Sequence, residues 1–142
     1  MDRIAAIKGR EILNAKGRPT VEAQLITERG IRVTASVPSG TSRGKYEAFE
    51  LYDGETRHNG RGARKAAENI STEICRALAG MDVADQEAID RTLCRLDGTP
   101  DKHRLGGNAL LAASVAAAKA GAASTNQPVY RYLGQKDIRP AL

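Results

Sequence analysis

"TVEAQLITERGIRVTASV", residues 20–37, decides the fold. Val21, Ala23 and Leu25 alternate with Glu22 and Gln24, the period of a strand with one buried face. After "ERG" at 28–30 the alternation resumes, with Ile31, Val33, Ala35 and Val37 on one face and Arg32, Thr34 and Ser36 on the other. So short a link between two alternating runs is a hairpin. Upstream, "KGRP" at 16–19 is a second turn signal, and "IAAIKGREIL" at 4–13 is the run that can pair beyond it. The spacing predicts an antiparallel meander of three strands.

Downstream of this meander the period becomes helical. Ala63, Ala66, Ala67, Ile70, Ile74 and Leu78 recur at helical spacing until Gly80. A second helix is predicted over 84–96, with Ile89, Leu93 and Leu96 on one face. "DGTPDKH" breaks the chain. "NALLAASVAAAKAGAAS" at 108–124 is apolar nearly all round, which predicts a central helix that neighbours approach closely. "QPVYRYLG" is a short closing helix. Three strands followed by three or four helices make an α+β domain, a meander followed by a helical bundle. It is expected over residues 1–134, with 135–142 as the start of a linker.

Composition narrows the function classes. Charged residues make up 27% of the 142 and apolar ones 41%, an ordinary globular balance. The net charge is +5, and the densest basic run holds Arg57, Arg61, Arg64 and Lys65. With one Phe and no Trp, nothing interleaves aromatics with those cations, which argues against nucleic acid as a partner. No apolar run has the character of a membrane span, and "MDRIAAIKGR" lacks the apolar core of a signal peptide, so no membrane and a cytoplasmic location are expected. Cys75 and Cys94 lie in helical patterns without zinc-ligand spacing and are expected to be reduced, buried thiols. His58 and His103 are expected at the surface. Asp82, Asp85, Glu87 and Asp90 are expected to serve a helix start. Asn108 is a candidate cap, with Gly106 and Gly107 easing the chain into the buried helix.

The stretch that invites chemistry is "VPSGTSRGKYE", 37–47. A nucleotide loop needs G-x-x-x-x-G-K-[ST]. Gly40, Gly44, Lys45 and Tyr46 are one residue short of it, and Tyr46 stands where the metal-binding hydroxyl belongs. Gly40 and Gly44 would give a mobile loop conformational freedom. Ser39, Thr41 and Ser42 offer oxygens suited to a hard cation such as Mg²⁺. On spacing alone, a plain β-to-α connection is the stronger reading. The chain shows no acid–base pair, nucleophile or complete metal site.

Taken together, "GREIL" and "GRPTVEA" (9–23), "VPSGTSRGKYEAFELYDG" (37–54), "DQEAID" (85–90), "LDGTP" (96–100), "LGGNALLAASVAAAKA" (105–120) and "PVYRYLG" (128–134) resemble the N-terminal domain of the enolase (phosphopyruvate hydratase) family, in the family's order, from about Ile4 to Leu133. The resemblance implies a glycolytic lyase that dehydrates 2-phosphoglycerate to phosphoenolpyruvate with two Mg²⁺ ions. It implies a C-terminal β/α barrel of roughly 250 residues carrying the lysine base, the glutamate acid and the first metal's carboxylates. This chain lacks that barrel, so it is expected to be part of a longer enolase, inactive alone and holding no catalytic residue. Its implied contribution is a lid: Gly40, Thr41, Ser42 and Arg43 form the substrate loop, and Ser42 ligates the second Mg²⁺. The resemblance also makes a homodimer through this domain an expected partner.

Two departures from the family pattern stand out. Thr41 and Arg43 replace the usual Ala and Thr of Ser-Gly-Ala-Ser-Thr-Gly. Asn14, Ala15, Lys16 and Arg18 replace four residues of Asp-Ser-Arg-Gly-Asn-Pro-Thr, and Lys16 keeps the charge of a subunit-interface arginine without its planar fork. The alternative they leave open is an enolase-like binding or interaction module without catalysis.

Overall fold

The computed structural model describes residues 1–40, 44–54 and 56–134. Strands β1 (Ile4–Leu13), β2 (Pro19–Thr27) and β3 (Arg32–Ser36) form an antiparallel sheet in the order β1-β2-β3. The register pairs Glu11 with Val21 and Ala23 with Ala35. The turns fix that register. Asn14 Oδ1 accepts the N–H groups of Lys16 (2.9 Å) and Arg18 (3.0 Å), and Gly17 supplies the positive φ of 68°. Asn14 therefore builds a side-chain-closed turn at the stretch that departs from the family pattern.

Inward side chains Ile7, Val21, Ala23, Leu25 and Ala35 are buried, whereas Arg32, Thr34 and Ser36 are exposed, as alternation predicts. Helix α4 (Gly107–Ser124) lies over β2 and β3 and buries Ala109, Ala112, Ala113, Ala116, Ala117 and Ala120. Alanines at these positions let the helix come close to the sheet.

The helix predicted from Gly62 is one rod with an irregular centre: α1 (Arg64–Asn69), a π turn (Ile70–Ile74) and α2 (Cys75–Leu78). Sequence periodicity does not reveal the π turn. The π turn and the start of α2 serve the free edge of β1: Gly9 N–H donates to Ser71 Oγ (2.9 Å) and Ile7 N–H to Cys75 Sγ (3.3 Å). A Cβ on Gly9 would overlap the Ala67 carbonyl, so only glycine lets the rod lie against this edge. Side chains thus occupy donors that an open strand edge would offer to another chain.

Helix α3 (Gln86–Asp97) turns Ile89 and Leu93 inward and ends on left-handed Gly98. Cys75 is half-buried and Cys94 is exposed, and both are free thiols. This corrects the expectation of buried thiols: Cys94 follows buried Leu93 by one residue and so sits about 100° round the helix from it. The acidic stretch also divides. Asp85 Oδ1 caps α3 by accepting Ala88 N–H (3.0 Å), while Asp90 accepts Ser114 Oγ–H (2.7 Å) from α4. Helix α5 (Val129–Leu133) is held by Tyr132 OH, which donates to the Ala84 carbonyl (3.0 Å). No helix among the described residues is long and apolar enough to cross a membrane.

Candidate functional site

The loop that leaves β3 begins on a rigid footing. Thr20, nearly inaccessible, donates its hydroxyl to the Val37 carbonyl (2.5 Å), and Val37 N–H donates to Val21 (3.1 Å). Ser39 Oγ donates to the Pro19 carbonyl (3.1 Å). The first hydroxyl of the loop is therefore an anchor to the β1–β2 turn. Gly40 N–H reaches Glu50 Oε2 across the neck of the loop in a long bond of 3.4 Å.

Of the sequence-predicted site, Gly40 is at this neck and exposed. Thr41, Ser42 and Arg43 lie outside the described residues. Beyond them, Gly44 N–H donates to Glu47 Oε2 (2.9 Å), making a small local turn. Lys45 lies 5.4 Å from the centre of the Tyr46 ring, and Tyr46 is 90% exposed.

The other footing is more elaborate, and sequence reading missed it. The Asn108 side chain receives Leu51 N–H at Oδ1 (3.1 Å) and donates Nδ2–H to the Leu51 carbonyl (3.1 Å). Phe49 N–H donates to the Asp101 carbonyl (2.6 Å), and the Phe49 carbonyl accepts Gly107 N–H (2.7 Å). This corrects the reading of Asn108 as a cap: the cap position of α4 is Gly106, which makes no side-chain cap bond, and Asn108 clasps Leu51 from 57 residues away. The Gly-Gly pair has the same cause. A Cβ on Gly106, whose φ is 96°, would stand 2.6 Å from Leu51 Cβ, and one on Gly107 would stand 2.7 Å from Ala48 Cβ.

Two carboxylates complete this footing at the start of α1. Buried Asp53 accepts Lys65 N–H at Oδ1 (2.9 Å) and Arg64 N–H at Oδ2 (3.2 Å), while Lys65 Nζ donates to its carbonyl (2.7 Å). Glu11, from β1, accepts Ala63 N–H (2.6 Å) and pairs with Arg57. The orphan donors of a helix N-terminus are thus met by side chains remote in sequence. Only the "YDG" of the family pattern hinted at Asp53.

"LDGTP" is a further fixed corner. Asp97 accepts Thr99 N–H (3.0 Å) and Leu105 N–H (2.8 Å). Burial pushes its carboxyl up, but the hydrogen bonds from Thr99 and Leu105 and the charge of Lys102 outweigh that and hold it below the ordinary carboxylate value. His103 is at the surface beside Asp101, with Nδ1 2.6 Å from Oδ1. His58 is exposed in a left-handed turn, with φ of 52°.

Among the described residues no group of three or more His, Cys, Asp and Glu side chains gathers as a metal site. The oxygens this loop carries, hydroxyl, backbone and the Glu47 carboxylate, are of the type a hard divalent ion accepts. The arrangement is a tip carried between two braced ends. A family model described as "Enolase, N-terminal domain" matches residues 4–133.

Proposed function

Because the chain belongs to the enolase family through this N-terminal domain, we propose that it is the lid-bearing part of a phosphopyruvate hydratase and works with a C-terminal barrel. The reaction is the dehydration of 2-phosphoglycerate. The observation that carries this reading is the asymmetry of the loop: residues 37–40 and 49–53 are tied to the sheet and the bundle, and 44–47 are exposed between them. Such a loop can swing its tip while its ends stay registered, which a cover over a substrate requires.

In this reading Ser42 offers its hydroxyl oxygen to the second Mg²⁺, and the backbone of Gly40 and Thr41 lies against substrate. Mg²⁺, when bound, supplies positive charge that stabilises the enolate formed when a carbon acid next to a carboxylate loses its proton. Arg43 adds a cation near the substrate phosphate. Closure excludes water from the site. The chain itself supplies no proton acceptor for the reaction; that group belongs to the barrel.

The test is an assay of the longer protein that joins this domain to its barrel. Mg²⁺-dependent turnover of 2-phosphoglycerate is expected, and Ser42→Ala is expected to lower kcat by roughly a hundredfold, the scale of a misplaced reacting geometry. Unchanged turnover in the variant would remove Ser42 from the metal site. No turnover by a folded full-length protein would leave the non-catalytic binding module as the better reading.

A further inference from the structure

We propose that the cleft between the β1–β2 turn and the 57–61 turn is a binding site for a phosphate-bearing small molecule. The cleft has a volume of about 540 Å³ and is lined by Gly17, Arg18, Pro19, His58, Asn59 and Arg61.

The densest basic run of the sequence supplies the first argument. The structure commits Arg57 to Glu11, and Lys65 Nζ to the Asp53 carbonyl. Arg61 is left facing the cleft opposite Arg18, with His58 between the turns. Among the described residues none of these three side chains has an ion-pair partner and no carboxylate lines the cleft. Unpaired guanidinium groups around one concavity raise the local positive potential, and their planar forks suit the oxygens of a phosphate.

The second argument is backbone geometry. His58 (φ 52°), Asn59 (φ 54°) and Gly60 (φ 81°) are left-handed in succession. Asn and His adopt that conformation more readily than most side chains, so His58 and Asn59 suit this turn. The turn is closed by hydrogen bonds from Arg61 N–H to the His58 carbonyl (3.1 Å), and from Gly54 N–H to Gly60 (3.0 Å). It fixes His58 and Arg61 at the same rim of the cleft. The sequence thereby places a ring N–H and a side-chain amide, both able to donate to an anion, on this turn.

The third argument is location. Pro19 lines the cleft, and its carbonyl is the acceptor that anchors Ser39 at the root of the loop. An anion seated here would stiffen the turn to which the loop is tied.

The experiment is a titration of the isotopically labelled 142-residue chain with inorganic phosphate, followed by amide NMR at ionic strength held constant with sodium chloride. Saturable shifts are expected at Gly17, Arg18 and 58–61, with at least a roughly tenfold loss of affinity in Arg18→Gln/Arg61→Gln, the effect of losing both charged forks. Both residues are exposed, and an unchanged amide spectrum elsewhere verifies the variant's fold. Shifts that never saturate, or that spread evenly over all basic surfaces, would overturn the proposal. So would a variant that binds phosphate as tightly as the parent. A variant that changes only the sedimentation of the chain would mark the cleft as a protein contact and equally refute it.

Discussion

Residues 44–47 and 49–53 are neighbours along one chain and differ in nearly every physical respect. The first group is exposed and bonded mainly to itself, through Gly44 and Glu47. In the second, the backbone of Phe49, Leu51 and Asp53 is bonded to groups 9 to 58 residues away. Polar backbone groups brought into a protein's interior must be paired, so a segment that enters the bundle is fixed group by group. A segment in water has no such obligation. The contrast shows how a small domain can offer a movable element without loosening its core: the bonds concentrate at the boundary.

The predictions that follow try to erase this boundary. The largest effect is expected from Gly106→Ala. The new Cβ meets Leu51 Cβ at 2.6 Å in a backbone with φ of 96°, and clash plus strain should cost about 3 kcal/mol. Urea unfolding measures it, and a change below 1 kcal/mol would mean that the 49–53 segment is not seated as described.

Next is Asp53→Ala, which strips acceptors from the Arg64 and Lys65 N–H groups. About 2 kcal/mol is expected from loss of the cap and of a buried bonded group. Amide exchange sharpens the comparison here. Protection at 49–53 should fall, while 44–47 should exchange rapidly both before and after the change. Asn108→Ala releases both Leu51 groups, with a loss of about 1–2 kcal/mol expected. It should loosen the second footing of the loop and leave Thr20 and Ser39 at the first unaffected.

A pH dependence comes from the third fixed corner. The Asp97 carboxyl is held below its ordinary value in the folded chain, burial being outweighed by the bonds from Thr99 and Leu105. A depressed value stabilises the fold above the unfolded value of about 3.9, and this contribution is lost as pH falls through the folded value. Acid unfolding of the parent should therefore steepen below about pH 4. Asp97→Asn should be less stable at neutral pH and show a shallower acid limb. Equal limbs would remove Asp97 from the account.

The smallest effect belongs to the tip. Lys45→Ala and Tyr46→Ala should each alter stability by no more than about 0.5 kcal/mol, as exposed substitutions do. A larger loss would mean that the tip is part of the folded body and that the boundary has been drawn in the wrong place.

What the sequence determined by itself was whatever rests on local period and local bonding. The alternation from Val21 to Val37 specified two strands and their buried faces. "KGRP" at 16–19 specified a turn, and the all-round apolar run at 108–124 specified a central helix. The order of its motifs carried the family. The loop at 37–47 was visible as a place of interest, because glycines and hydroxyls cluster there.

The tertiary structure decided everything that depends on which distant groups meet. Asn108 looks like a cap by its position at a helix start, yet it serves Leu51 because the chain returns there. Glu11 and Asp53 are 42 residues apart and cap the same helix. Gly9, Gly106 and Gly107 are glycines because a neighbouring segment occupies the space of a side chain. Arg57 and Arg61 are alike in sequence, and only the fold pairs one and leaves the other facing a cleft. Local pattern records what a residue does with its next few neighbours. The partner of a polar group is fixed by chain packing, because burial obliges each such group to find one wherever the fold places it.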